Sequence, residues 1–330
     1  MKCIVQKFGG TSLGTIEKIH NAAQKVKLEV ARGHKIAVVV SAMAGMTNRF
    51  IKSAESISNA SDDSEYDVVV SAGEQISSGL MALALQKIGV PARSFLGWQL
   101  PILTDGSYKK ARVKRAITKE IFRAFAKKKV AVIAGFQGID DNNRITTLGR
   151  GGSDITAVVL ASALKAERCD IFTDVKGIYT CDPRIVKSAQ KLDKITYEEM
   201  VEMSSLGSKV LQSRSVEVAM KKKVRLHVLS SFSNEKGTMV VDESEILEKQ
   251  AVSGIACNAN ESKITLVGIS DKPGVAAKIF GPLSDANINV DMIVQNVSAD
   301  GSLTDLTFTV DKSDLKKVVS VLSKRKTAIN

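Results

Sequence analysis

The first part of the chain alternates short apolar runs with amphipathic stretches. Residues 1–8 carry Cys-Ile-Val-Gln-Lys-Phe and predict a buried strand, and Ile16, Ile19, Ala23, Val26 and Val30 then recur at helical spacing until Gly33. Residues 35–40 are a β-branched run, the pattern of a parallel strand covered on both faces. The β-branched run at 66–70 predicts a third strand, and Ser71-Ala-Gly73-Glu74 then opens a helix carrying Ile76, Leu80, Leu83 and Ile88. Beyond Pro91 the pattern predicts extended chain at 92–96, a helix at 117–127 and a fourth buried strand at 130–134. Asp140-Asp-Asn-Asn143 marks the turn of a hairpin within 135–147. A helix at 155–166, a strand at 168–173, helices at 196–204 and 207–220 and strands at 224–229 and 239–241 follow. Such alternation implies an α/β sandwich. Residues 244–250 form a charged link, after which strands at 263–270, 288–295 and 304–310 and helices at 274–286 and 315–322 predict a second domain of shorter strands with helices on one side.

Composition narrows the chemistry. With 330 residues, 44% hydrophobic and 25% charged, the chain has material for about two domains. No run approaches the ~18 apolar residues that cross a bilayer, and the first ten residues lack a secretory pattern, so a cytoplasmic location is expected. Cys3, Cys169, Cys181 and Cys257 are scattered, and His20, His34 and His227 have no metal-ligand spacing. Neither a zinc site nor triad chemistry is suggested, which leaves lysine, arginine and carboxylates as the reactive groups. The net charge of +12 is spread along the chain, and the lysine runs at 127–129 and 221–223 fall at predicted helix ends. Such runs complement the helix dipole, so nucleic acid is not the expected partner. An anionic small substrate would gain from the positive field.

Candidate chemistry sits where predicted strands run into glycine-rich turns. Lys7-Phe-Gly9-Gly10-Thr11-Ser12 couples a strand end to a turn whose amides can face anionic oxygens, with the Lys7 ammonium above them. A turn of this kind also occurs as a plain βα connection, so other stretches must decide. Ser41 to Asn48 is a second small-residue loop beyond a strand. Glu74, in a first helical turn, reads either as a dipole-stabilising surface residue or as a functional carboxylate. Gly149-Arg150-Gly151-Gly152-Ser153-Asp154 combines an arginine fork, close-approach glycines and a serine at the N-cap, a receptor for carboxylate or phosphate. In Thr173-Asp174 and the turn-rich stretch to Arg184, Tyr179 and Arg184 suit stacking on and pairing with a nucleotide.

The stretches KFGGTS (7–12), SAGE (71–74), GRGGSD (149–154), TDVKGIYTCDPR (173–184) and LGSKVL (206–211) occur in this order over nearly the whole chain, and together they resemble the aspartokinases. The resemblance implies the amino-acid kinase (carbamate-kinase-like) αβα fold over 1–243, a linker and strand over 244–262, and a ferredoxin-like ACT regulatory domain over 263–330. It implies transfer of the γ-phosphoryl of ATP to the side-chain carboxylate of L-aspartate, the first step towards lysine (through diaminopimelate), threonine and methionine, under feedback by an end-product amino acid. Lys7 would face the transferred phosphoryl and Asp154 would orient it. Glu74 would hold the aspartate ammonium, Arg150 a substrate carboxylate, and Thr47, Gly151, Gly152 and Ser153 the rest of that pocket. Gly9, Gly10 and Ser41 would touch phosphates. Thr173, Asp174, Tyr179, Asp182, Arg184 and Lys209 would contact ATP, with Mg2+ bridging its phosphates.

Asp271, Pro273, Gly274, Val275, Ala276, Asn289, Asp291 and Gln295 match the effector loop and facing strand of an ACT module, and such modules imply at least a homodimer. No G-x-x-x-x-G-K-S/T loop and no H-R-D motif occurs, so the other phosphate-binding designs are absent. Two departures stand out: Gln212-Ser213-Arg214 where His-Pro-Arg is common, and Ile155 where threonine is. Both are expected to affect packing at the nucleotide edge and not the reaction. The chain stops at Asn330, where the family usually continues into a second ACT module, so residues 251–256 would form a strand lacking its partner. Kinases for glutamate, N-acetylglutamate or a nucleotide are the nearest alternatives, and a non-catalytic amino-acid sensor is the alternative from another class.

Overall fold

The computed structural model describes residues 2–57, 63–208, 210–246, 252–258, 260–270, 272–286, 288–297 and 303–323. The chain divides into two compact units, Met1–Cys257 and Asn258–Asn330.

The first unit begins with β1 (Cys3–Phe8), α1 (Ile16–Ala31), β2 (Lys35–Val40), α2 (Met46–Ile57) and α3 (Asp63–Lys87). It continues through β3 (Ala92–Phe95), β4 (Ile102–Thr104), β5 (Val113–Ala116), α4 (Lys119–Ala126), β6 (Val130–Ala134), β7 (Gln137–Ile139), β8 (Ile145–Thr147) and α5 (Gly152–Ala163). It closes with β9 (Arg168–Thr173), β10 (Lys194–Thr196), α6 (Tyr197–Ser205), α7 (Ser213–Lys222), β11 (Leu226–Ser230) and β12 (Thr238–Val241). The main sheet has the order β10-β12-β11-β9-β1-β2-β6-β3. Its strand pairs are parallel except β11 with β12.

Successive side chains leave the sheet on opposite faces. Val5, Ala37, Val39 and Ile133 pack into one apolar cluster with residues of α4, α5, α6 and α7. Ile4, Phe8, Ile36, Val38, Val40 and Val132 pack into the other, with α1 and α3. That two-sided burial is the reason the strands read as unbroken apolar runs, and it makes the unit the expected αβα sandwich. A smaller sheet, β5-β4-β7-β8, includes the hairpin expected at 135–147, whose turn is tied by Asp140 Oδ1 accepting from the amides of Asn142 and Arg144.

Several elements differ from the sequence expectation. Residues 66–70 are not a strand but lie inside α3. Their branched side chains favour extended chain, yet the buried positions Asp67, Val70, Ser71, Glu74, Ser77, Ser78, Met81 and Leu85 follow helical spacing. Glu74 therefore sits in the body of a helix and is buried, not in an exposed first turn. Long and apolar enough by composition to cross a membrane, α3 is nevertheless a core helix with over half of its apolar window buried. Residues 46–57 are helical, and α7 begins at Ser213. The N-cap of α5 is Gly151, so Ser153 is the second residue of the helix and not its cap. Residues 252–258 form no strand.

The second unit comprises β13 (Glu261–Ser270), α8 (Val275–Asp285), β14 (Ile293–Val297), β15 (Leu303–Asp311) and α9 (Leu315–Ser323). Its antiparallel sheet has the order β13-β15-β14. Ile269, Ile279, Leu283, Phe308 and Val318 form its core, with Phe280 edge-on to Phe308 at 5.4 Å. Residues 288–292, expected as strand, precede β14 without regular structure.

Candidate active site

In open α/β sheets ligands collect beyond the carboxyl ends of the strands. β1 lies between β9 and β2, with Lys7 beside Ile171 and Val39. Beyond Phe8 the chain turns through Gly9 and Gly10, and the Gly9 amide donates to Phe172 O at 3.3 Å. Gly10 is required by crowding: a Cβ there would meet Ala42 O at 2.9 Å. The loop after β2 is thus pressed onto the first turn, and the Ala44 amide donates to Gly10 O at 3.1 Å.

The Lys7 Nζ lies 2.6 Å from Asp154 Oδ1, and the two side chains are 11% and 10% exposed. A buried cation and anion in contact are compensated for each other but retain a face towards the adjoining space. That space is a cavity of about 1190 Å³, lined by Lys7, Gly10, Ser41, Thr47, Glu74, Arg150, Gly151, Gly152, Ser153 and Asp154 among others.

The loop carrying Arg150 is built by local constraint. Gly151 has φ +69°, and a Cβ there would lie 2.1 Å from Gln212 Cγ. The Gly152 position would meet the Phe136 ring at 2.7 Å, so the helix entry is packed too tightly for any side chain. Arg214 braces the same loop, donating from Nη1 to Leu148 O at 2.8 Å and from Nη2 to Ala111 O at 2.7 Å. Ile155 packs beneath it with Ala111 and Leu148. The two departures from the family motif, at 212–214 and 155, thus pack against the Gly149–Asp154 loop.

Glu74 faces the cavity from α3. Its Oε1 accepts from the Ala42 amide at 3.0 Å, while Oε2 is buried with no hydrogen-bond partner among the described residues. Burial pushes its carboxyl up to about 7, the Ala42 amide pulling the other way. A carboxylate with one spare buried oxygen is a receptor for a cation or a donor. The remaining charged lining is cationic: Lys109, Lys110, Arg112 and Arg214 join Lys7 and Arg150. Such a field suits a substrate of more than one negative charge.

The other candidate residues lie elsewhere. Thr173 ends β9, with its hydroxyl donating to Asp174 Oδ1 at 3.2 Å, and Tyr179 bridges to Lys191. Arg184 is spent on Asp182, with Nε to Oδ1 at 3.0 Å and Nη2 to Oδ2 at 2.7 Å, and this side-chain bonding holds the Asp182 carboxyl down at about 2. None of these five lines the cavity. Lys209 and Asp271 lie outside the described residues. Pro273 and Gly274 lead into α8, whose first residues are Val275 and Ala276, while Asn289, Asp291 and Gln295 are exposed on the segment before β14 and on β14 itself.

Sequence reasoning passed over Lys109, Lys110 and Arg112, although a basic cluster directly after Asp105-Gly106 was a readable signal. It also missed Phe136, a cavity-lining residue at φ +69°. An aromatic residue in the left-handed region is a strained position that no motif announces.

An αβα sandwich with a paired lysine and aspartate facing a cationic cavity, and without a P-loop, defines a small-molecule phosphotransferase. The chain matches the model of the amino acid kinase family over residues 2–230 and that of the ACT domain over residues 264–325. Within that family it belongs to the aspartate kinases. It is 55% identical over 323 residues to aspartate kinase Ask_LysC of Stutzerimonas stutzeri, covering 98% of this chain and 78% of that protein. Among solved structures, the aspartate kinase from Synechocystis matches with a TM-score of 0.67 and 40% identity over 99% of this chain, which spans 56% of that one. E. coli aspartokinase III in complex with lysine and aspartate matches with a TM-score of 0.80 and 27% identity, over 97% of this chain and 84% of that one. The same enzyme in complex with aspartate and ADP matches with a TM-score of 0.75 at 26% identity.

Proposed function

We propose that the chain transfers the γ-phosphoryl group of ATP to the side-chain carboxylate of L-aspartate, giving 4-phospho-L-aspartate and ADP. The observation that carries this reading is the Lys7–Asp154 ion pair on the wall of a cavity that also holds Glu74 and Arg150. L-Aspartate offers two carboxylates and one ammonium. Arg150 is suited to the α-carboxylate, the spare oxygen of Glu74 to the ammonium, and Thr47, Gly151, Gly152 and Ser153 to the walls between them. The side-chain carboxylate is then left facing Lys7.

A carboxylate oxygen attacks the γ-phosphorus, the new O–P bond forms, and the bond from that phosphorus to the bridging oxygen breaks to release ADP. No base is required, because the carboxylate is already ionised near neutral pH. Negative charge spreads over the phosphoryl oxygens in the transition state, and Lys7, held in place by Asp154, offsets it together with the Gly10 amide and the Ser41 hydroxyl, Gly9 allowing the close approach of the turn. Thr173, Asp174, Tyr179, Asp182, Arg184 and Lys209 are assigned to the nucleotide. Arg184 must exchange its bond to Asp182 for one to phosphate.

Magnesium fits as a companion of the nucleotide. Among the described residues no group of three or more His, Cys, Asp and Glu is placed to hold a metal. A magnesium ion that accompanies ATP is bound chiefly by phosphates and water with a carboxylate or two, and Asp154 is the carboxylate on the cavity wall beside Lys7 that would hold it. When bound it supplies charge neutralisation between the phosphates. We assign the reaction to the cytoplasm, where ATP is supplied.

We further assign the second unit to amino-acid feedback, with Asp271, Pro273, Gly274, Val275, Ala276, Asn289, Asp291 and Gln295 around the effector, in an assembly of at least two chains. Lysine, threonine and methionine, the end products of the pathway that 4-phospho-L-aspartate enters, are the effectors to titrate. The primary test is ADP release with ATP, magnesium and L-aspartate, with the acyl phosphate trapped by hydroxylamine. Aspartate-dependent ADP and hydroxamate are expected. ADP release no faster than without aspartate would defeat the assignment.

A further inference from the structure

Asp67 is fully buried, and no motif points to it. Glu74 lies seven positions further along α3, close to two helical turns, so both carboxylates leave the helix on the same side. Their circumstances are opposite. Glu74 has a spare oxygen, whereas both oxygens of Asp67 are occupied. Oδ2 accepts from the Thr147 amide at 2.6 Å and the Lys109 amide at 3.0 Å, and Oδ1 accepts from the Thr147 hydroxyl at 2.8 Å. Thr147 ends β8 and leads through Leu148 and Gly149 to Arg150, and Lys109 opens the basic rim. Both partners line the cavity.

We propose that Asp67 is a positioning residue for recognition of the amino-acid substrate: by tying Thr147 and Lys109 to α3, it sets the distance between the Glu74 carboxylate and the Arg150 guanidinium. This rests on the reading of the cavity as the aspartate site. The choice of residue follows from the partners, since every group facing Asp67 in these contacts donates. An asparagine would offer one acceptor oxygen and turn its NH2 towards an N–H or hydroxyl donor. Arg214 grips the other side of the same segment through Leu148 O and Ala111 O, and the Ala111 amide donates to Thr147 O at 2.9 Å. The chain before Arg150 is therefore clamped from α3 and from α7. None of the residues assigned to ATP beyond the Gly9-Gly10 turn belongs to this clamp, so its loss should register on one substrate only.

The test compares the parent enzyme with Asp67→Asn, Thr147→Val and the double variant in steady-state kinetics with each substrate varied. In Asp67→Asn the KM for aspartate should rise about tenfold or more while that for ATP stays within about twofold. Thr147→Val should raise the aspartate KM by a smaller factor, and the double variant should be no worse than Asp67→Asn alone, because both changes break one contact. A parent enzyme that does not phosphorylate aspartate would defeat the reading of the cavity. A parent that does, with variants whose aspartate KM is unchanged or whose two KM values rise together, would overturn the positioning role alone. Should Asp67→Asn fail to fold, Thr147→Val, which removes a single hydroxyl, decides the matter.

Discussion

Glu74 combines burial, one amide contact and an unpartnered oxygen, and its pKa near 7 follows mainly from burial. The folded free enzyme therefore holds a proton on Glu74 in the range where the unfolded chain has lost it. By linkage, this group's contribution to stability is fullest below the ordinary carboxylate pKa and falls as pH rises from there to about 7. Binding has the opposite demand, since an ammonium group needs the ionised form. The apparent affinity for aspartate should improve as pH rises towards about 7 and level off above it, and Glu74→Gln should flatten that profile, weakening binding most above about 7. An aspartate KM profile identical in parent and variant would separate Glu74 from the substrate. Lys7, Gly10 and the Gly149–Asp154 stretch were legible because a lysine, an arginine or a glycine pair beyond a strand leaves a local trace. The burial of Glu74 was not, since it depends on which way a helix faces.

At the scale of elements, α3 carries most of what the sequence did not disclose. Its β-branched start favours extended chain, and its buried stripe is made partly of Ser71, Gly73, Ser77 and Ser78, which a hydrophobic pattern does not count. The small residues bring the helix against the loop after β2. A Cβ on Gly73 would lie 2.6 Å from Ala42 Cβ, a contact that only backbone movement can relieve. Gly73→Ala should therefore push that loop away, break the bond from the Ala42 amide to Glu74, and raise the aspartate KM by about tenfold with thermal stability lowered. Unchanged kinetics would mean that the loop adapts without disturbing the site. Strands covered on both faces, such as β1, β2 and β6, were readable because two-sided burial leaves an unbroken apolar run. The short strands β4, β5 and β10, of three or four residues, have too few positions to show a period.

For the molecule as a whole, the formal net charge is +12. Part of it surrounds the cavity, whose lining sets Lys7, Lys109, Lys110, Arg112, Arg150 and Arg214 against Glu74 and Asp154, with Lys109 also paired to Asp63. The second unit has its own sheet and core. The catalytic proposal depends on long-range folding, because Lys7 on β1 and Asp154 in the first turn of α5 meet only when the central sheet is assembled. The most direct measurement is the turnover number of Lys7→Ala with saturating ATP and aspartate, alongside calorimetric binding of aspartate to the same variant. The account predicts a loss of about a thousandfold or more in turnover, with circular dichroism retained and aspartate affinity reduced far less. Turnover equal to that of the parent would contradict it.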